Sequence, residues 1–130
     1  ERYPEMLAKR KKMIEKMDAA FADINVAVLE HYGKEHASSG HLYIVRLLGK
    51  TREQTNEVIE KMAERGIATN VHYKPLPMMT AYKRMGFDIK NFPNAYHMFE
   101  NEITLPLNTK MTMEDVNYVI ENFADIVKSF

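Results

Sequence analysis

The chain contains no cysteine and no tryptophan among its 130 residues. It therefore has no disulfide, no thiolate metal ligand and no cysteine nucleophile, which fits a reducing cytoplasmic compartment. It also lacks any apolar run approaching the roughly 20 residues that cross a bilayer, and its opening, ERYPEMLAKRKK, lacks the apolar segment of a secretory signal. The sequence predicts a cytoplasmic protein with no membrane partner.

Glycine is scarce, and the chain has no excess of positive or negative charge. The five glycines, at positions 33, 40, 49, 66 and 86, form neither a GxGxxG nor a GxxxxGK pattern, so nucleotide binding by such a loop is excluded. Eighteen Lys and Arg balance eighteen Asp and Glu. A neutral chain has no general attraction for phosphate backbones, and we expect no nucleic acid partner.

Regular hydrophobic patterning predicts one folded domain with several helices. Apolar residues recur at helical spacing from Pro4 to Ile24. Thr51 with Gln54 forms a capping box, and Gly66 supplies the left-handed residue that ends such a helix. The predicted helices span residues 4–24, 51–66, 78–85, 93–100 and 112–127.

Three segments are predicted as strands because branched and aromatic residues dominate them: residues 42–48, 67–73 and 102–107. Residues 26–29 fit either a short strand or the end of the first helix. The first two strands should be parallel, with the third between them and antiparallel to both, in the order 1-3-2. The predicted fold class is α+β, a small two-layer domain whose three-stranded, mainly antiparallel sheet is covered by helices on one face.

The most unusual segment is HYKPLPMMTAY at residues 72–82, in which His72 and Tyr73 end a predicted strand. The prolines that follow lack a backbone donor, so the ladder must stop there. Strand ends commonly display functional side chains. On the residues alone, a functional pair and an ordinary pair at a sheet edge remain equally good interpretations.

Other candidate residues carry weaker signals. His31, His36 and His41 recur every five residues, which matches neither a helical pair nor a zinc motif, so polar loop histidines are favoured over a metal site. Ser38 and Ser39 lie near histidines without a GxSxG pattern. We predict no metal site and no catalytic residue in this chain.

Three blocks of sequence together resemble the C-terminal domain of the DegT/StrS-type aminotransferases, pyridoxal-phosphate (PLP) enzymes that act on nucleotide-linked keto sugars. The blocks are SSGHLYIVRL at 38–47, GIATNVHYKPLPMMTAYKRMGF at 66–87 and NEITLPLNTKMTMEDVNYVIENF at 101–123. The opening, ERYPEMLAKRKKMIEKMDAAF, is similar to the family's long helix between its large and small domains. The resemblance implies that residues 1–130 form the single small domain and that residues 1–30 form the linking helix.

The resemblance also implies where the chemistry of the parent enzyme lies. The lysine and the other residues that hold PLP belong to a large N-terminal domain that this chain lacks, so the chain alone should bind no cofactor and be inactive. The small domain closes over the cofactor, and His72 and Tyr73 contribute to substrate binding. Family members often have a histidine at the position of Pro77, so no role is assigned to that position. The parent enzyme is expected to be a homodimer.

Two further expectations accompany this interpretation. His41 and Tyr43 match the family pattern and are expected to be a buried, hydrogen-bonded pair at the start of a strand. The alternative function is a free-standing ligand-binding or regulatory α+β module, because small domains of this kind often bind ligands or pair through their sheets. The start at Glu1, without an initiator Met, favours a piece of a longer protein.

Overall fold

The computed structural model describes residues 2–130, which contain three strands and five α-helices joined by loops. Short 3-10 turns occupy Leu76–Met78 and Ile89–Asn91. The elements, in chain order, are α1 (Tyr3–Phe21), β1 (Val26–Val28), β2 (Tyr43–Leu47), α2 (Arg52–Glu64), α3 (Thr80–Arg84), α4 (Pro93–Phe99), β3 (Glu102–Leu105) and α5 (Met113–Lys128).

The strands form one antiparallel sheet in the order β1-β2-β3. Val26 of β1 pairs with Leu47 of β2, and Tyr43 of β2 pairs with Leu105 of β3. Helices α1, α2 and α5 pack together with one face of this sheet in a shared core. The α+β prediction, a helix layer on a small antiparallel sheet, is therefore confirmed.

The predicted strand order 1-3-2 is wrong, because residues 67–73 do not form a strand. Asn70 makes a single antiparallel bridge to Thr104, with both backbone N–H groups donating across it. In this register Ala68 would face Pro106, which has no N–H to donate. On the other side, the His72 N–H donates to the Glu102 carboxylate instead of to its carbonyl. The ladder therefore ends after one pair.

The first helix ends earlier than the predicted linking helix of residues 1–30. Helix α1 stops at Phe21, and residues 26–28 form β1, which resolves the segment that the sequence left ambiguous. The strand forms because its residues find backbone partners on β2, with Ala27 opposite Arg46. The capping boxes of α2 and α5 both form, at Thr51 with Gln54 and at Thr112 with Asp115.

The sheet has two unlike faces because successive side chains of a strand point to opposite sides. On β2, Tyr43, Val45 and Leu47 are buried toward the helices, while Ile44 and Arg46 are half-buried on the other face. The core between sheet and helices is formed mainly by residues of α1, α2, α5, β2 and β3, including Met13, Ile14, Met17, Phe21, Val58, Met62, Ile103, Leu105, Val116, Val119, Phe123 and Ile126. Within residues 2–130, no helix has both the length and the hydropathy needed to cross a bilayer.

Packing of α1 against this core makes a testable prediction about stability. Met17 is fully buried, whereas Met6 on the same helix is 36% exposed. Met17→Ala should lower the free energy of unfolding by about 2–5 kcal/mol, because it opens a cavity in the core. The matched variant Met6→Ala should change it by less than about 0.5 kcal/mol. Urea denaturation of this chain measures both, and equal effects would show that α1 is not docked as described.

Candidate functional site

His72 and Tyr73 lie beside a cavity on the face of the sheet that the long helices leave free. The cavity has a volume of about 360 Å³. Helix α4 forms its opposite wall with Ala95, Met98 and Phe99. The remaining lining residues come from the sheet and from the segment after β1: Ala27, Val28, Leu29, Ile44, Arg46 and Glu102. The structure therefore brings the two predicted site residues together at an apolar cavity with a few polar groups in its wall.

The two side chains are presented differently. Tyr73 is 73% exposed, while His72 is half-buried. Their rings meet edge to face with centroids 4.8 Å apart, and the peptide bond between the residues is cis. Tyr73 thus offers a free aromatic ring and hydroxyl, and His72 offers one edge of an imidazole whose other edge is occupied.

Strand β3 holds that occupied edge of His72. Thr104 Oγ1 lies 2.9 Å from His72 Nδ1, and the Glu102 carboxylate accepts the His72 N–H, with Oε2 at 3.1 Å. Because side chains alternate along β3, Glu102 and Thr104 point away from the helices, while Ile103 and Leu105 enter the core. Glu102 and Thr104 are nevertheless buried, since residues 67–73 cover them.

Two arginines connect the sheet to α4. Arg46 of β2 donates to Asn101 Oδ1 at 3.0 Å and to the His97 carbonyl at 3.1 Å. Arg52, at the start of α2, donates to the carbonyls of Phe99 and Glu102 at 3.0 and 3.2 Å. These contacts satisfy carbonyls at the end of α4 and fix the helix above the cavity.

Burial shapes the charge of Arg52. Its guanidinium stacks over the Phe99 ring at 5.0 Å and is partly shielded from water. That desolvation lowers the pKa of Arg52, and the negative charge of Glu102 partly offsets the effect. Arg52 therefore serves as a structural cation at the junction of α4 and β3.

Three residues of this site were not predicted from the sequence: Arg46, Glu102 and Thr104. A signal was present for the last two, because polar Glu102 and Thr104 alternate with apolar Ile103 and Leu105 in one strand. For Arg46 the corresponding signal is a charge within an otherwise apolar strand, YIVRL. Such polar residues in a buried strand indicate a second face that something covers.

His41 and Tyr43 were predicted to be a buried, hydrogen-bonded pair, and this is correct for Tyr43 only. Tyr43 is fully buried and donates to Asp18 Oδ1 at 2.6 Å. Burial, reinforced by this hydrogen bond, raises the pKa of Tyr43. His41 is exposed, so the expectation that it is buried is wrong: it lies in the loop before β2 begins at Tyr43. Instead His31 is buried and stacks on the Tyr43 ring at 5.7 Å.

The residues of this chain do not fit a PLP site. A Schiff-base amine needs a desolvated lysine, but Lys74 and Lys110 are exposed, and no lysine lines the cavity beside His72. Between residues 2 and 130 no group of three His, Asp or Glu side chains is arranged to hold a metal ion. Beside this cavity the described chain therefore has no lysine that could form the Schiff base.

An antiparallel sheet backed by helices on one face, with half-buried His72 and exposed Tyr73 beside a cavity on the other, defines a small α+β domain. The sequence pattern of the DegT/DnrJ/EryC1/StrS aminotransferase family matches residues 1–124. The chain belongs to that family.

Known relatives show how much of the family's length the chain spans. A Streptococcus pneumoniae protein provisionally assigned as a sugar aminotransferase and solved in its PLP form is 48% identical, with a TM-score of 0.95 over 98% of this chain and 33% of its own. The spore coat polysaccharide biosynthesis protein SpsC of Bacillus subtilis is 29% identical over 98% of this chain and 33% of its own length. The UDP-4-amino-4,6-dideoxy-N-acetyl-β-L-altrosamine transaminase of Campylobacter jejuni is 31% identical over 70% of this chain and 24% of its own. The chain spans about a third or less of these relatives.

Burial of His31 predicts acid sensitivity of the fold. Burial lowers the pKa of His31, with the carboxylate of Asp18 acting in the opposite direction. The unfolded chain protonates this histidine at its ordinary pKa of about 6.5, so below that pH the unfolded state binds more protons and the folded state loses stability. The loss should be complete once the pH has fallen through the lowered pKa of the folded state.

Denaturation at about pH 8 and at about pH 5, on either side of histidine's ordinary pKa of about 6.5, tests this coupling. His31→Phe, which keeps a ring against Tyr43, should reduce the difference in stability between the two pH values. The same substitution at exposed His41 should leave it unchanged. A wild-type difference that persists in His31→Phe would show that another group is responsible.

Proposed function

We propose that this chain is the C-terminal small domain of a PLP-dependent aminotransferase acting on nucleotide-linked keto sugars. In this proposal the domain helps to close the substrate cleft, and His72 and Tyr73 contact the substrate. The parent enzyme would move an amino group from a donor such as glutamate to the keto sugar. Its cofactor would be held by the remaining two thirds of the family's length, outside this chain, and we expect it to be a homodimer.

The observation that carries this proposal is the position of the His-Tyr pair. Tyr73 is largely exposed and His72 half-buried beside the cavity, although the core on the other face of the sheet is complete. A tyrosine that is 73% exposed contributes little to the fold of this domain alone. Both side chains are available to a ligand that approaches the free face of the sheet.

The names of relatives support the substrate class. The C. jejuni relative is named as a transaminase of a UDP-linked amino sugar, and a Saccharopolyspora spinosa relative, 29% identical over 96% of this chain, is named dTDP-4-dehydro-2,3,6-trideoxy-D-glucose 4-aminotransferase. Both names describe sugars attached to a nucleoside diphosphate. We extend that class to the parent of this chain.

The chain by itself should neither retain PLP nor transaminate. After incubation with PLP and reduction with borohydride, mass spectrometry should show no stoichiometric label, because none of the chain's lysines is buried and none lines the cavity. One fully labelled lysine together with turnover would contradict the proposal. Saturable binding of a small effector by this chain alone, without turnover, would support the alternative of a free-standing binding module.

Kinetics of the full-length enzyme test the role of the pair. His72→Asn keeps an amide N–H near the Nδ1 position and removes the Nε2 group, so it should raise KM for the keto sugar about tenfold, the effect of one lost hydrogen bond. The half-reaction with the amino donor should be unaffected. His36→Asn, on a loop outside the cavity lining, is the matched control. An unchanged KM in His72→Asn would remove His72 from the substrate site.

A further inference from the structure

A chain of hydrogen bonds runs from the imidazole of His72 into the buried face of β3. His72 Nδ1 lies 2.9 Å from Thr104 Oγ1, and Thr104 Oγ1 lies 2.7 Å from Glu102 Oε1. Thr104 is 6% exposed and Glu102 is 5% exposed. Both partners of the histidine are therefore shielded from water.

The positions of the hydrogens follow from the groups available. The Glu102 carboxylate also accepts the backbone N–H of His72, and the guanidinium of Arg52 lies against the Glu102 carbonyl. The carboxylate oxygens accept from the Thr104 hydroxyl at 2.7 Å and from the His72 backbone N–H at 3.1 Å. The single hydrogen of the Thr104 hydroxyl is then used toward Glu102. Thr104 can only accept from the histidine, so Nδ1 must carry the hydrogen.

We infer that Thr104 and Glu102 are positioning residues that hold neutral His72 as the Nδ1–H tautomer, with the Nε2 lone pair directed to a ligand. This inference rests on the proposed function, in which His72 contacts the substrate. It goes beyond that function because it states that His72 Nε2 accepts, and does not donate, the hydrogen bond to the substrate. Nε2 has no hydrogen-bond partner among residues 2–130, so its lone pair is available.

The tautomer of His72 determines whether the substrate group that it binds must be a hydrogen-bond donor or an acceptor. A neutral imidazole whose Nε2 carries a lone pair accepts a hydrogen and cannot donate one. It therefore pairs with a hydroxyl or amino hydrogen of a sugar and disfavours the phosphate oxygens of a nucleoside diphosphate. We assign His72 to the sugar part of the substrate.

Nitrogen NMR of histidine-labelled protein tests the tautomer in this chain without any substrate. Spectra are recorded about two pH units above histidine's ordinary pKa of about 6.5, where imidazoles are neutral. The resonances that disappear in His72→Asn belong to His72. We expect a protonated Nδ1 and an unprotonated Nε2, the reverse of the form that a free neutral histidine favours. A dominant Nε2–H form in the wild type would overturn the inference.

Variants of Thr104 separate positioning from mere packing. Thr104→Val removes the acceptor and should shift His72 to the Nε2–H form, while Thr104→Ser should restore the Nδ1–H form. Thr69→Val is the matched control, because the Thr69 hydroxyl is buried nearby without a hydrogen-bond partner among the described residues. It should leave the tautomer unchanged. If Thr104→Val also leaves it unchanged, Thr104 does not position the ring.

A second variant tests Glu102 independently. Glu102→Met removes the carboxylate, so the Thr104 hydroxyl becomes free to turn and donate to Nδ1. His72 should then change to the Nε2–H form although Thr104 is intact. Retention of the Nδ1–H form in folded Glu102→Met would exclude Glu102 from the chain of hydrogen bonds.

Kinetics of the full-length enzyme distinguish failure of the inference from failure of the proposed function. Thr104→Val should raise KM for the keto sugar about tenfold without slowing the amino-donor half-reaction, and Thr104→Ser should restore it. If the tautomer shifts in Thr104→Val but KM does not, the substrate contact of His72 is overturned while the positioning role stands. If wild-type His72 is found in the Nε2–H form but His72→Asn still raises KM, the positioning role fails and the proposed function stands.

Discussion

The pairing of β2 with β3 is the interaction on which the rest of this domain depends. It aligns Tyr43 with Leu105 and Arg46 with Glu102, and alternation along the two strands then assigns each side chain to a face. One face completes the core with α1, α2 and α5. The other face carries Arg46, Glu102 and Thr104 beneath α4 and the segment before the prolines. A shift of register by one residue would turn the core side chains to the other face and the site side chains toward the helices, which would destroy both the core and the site.

On the other face of the sheet, polar contacts hold α4 and the His72 segment in place around the apolar cavity. Arg46 and Arg52 satisfy carbonyls around the end of α4, while Glu102 and Thr104 receive the backbone N–H and the ring of His72. Directional hydrogen bonds of buried groups fix orientation more closely than apolar contact does. The same contacts that end the ladder at Asn70 therefore also set the edge of the imidazole that a ligand can reach.

The long helices were predictable from the sequence because their signals are local. Capping boxes at Thr51 and Thr112 and the periodic apolar faces that follow depend on residues three or four apart. The unusual character of His72 and Tyr73 was also visible, since two prolines follow them closely. Strand boundaries were less predictable: residues 67–73 have strand composition, but Pro106 and the Glu102 side chain limit their pairing to Asn70.

The sequence by itself determined the α+β class, the capped helices, the absence of cysteine chemistry and the segment that holds the His-Tyr pair, because each follows from composition or from neighbours along the chain. Only the tertiary structure decided that Val26–Val28 is a strand, that His31 rather than His41 is buried, and that Thr104 and Glu102 hold His72. His72 and Thr104 are separated by 32 positions in the sequence. Contacts between residues so far apart depend on strand register and packing, which no local pattern encodes.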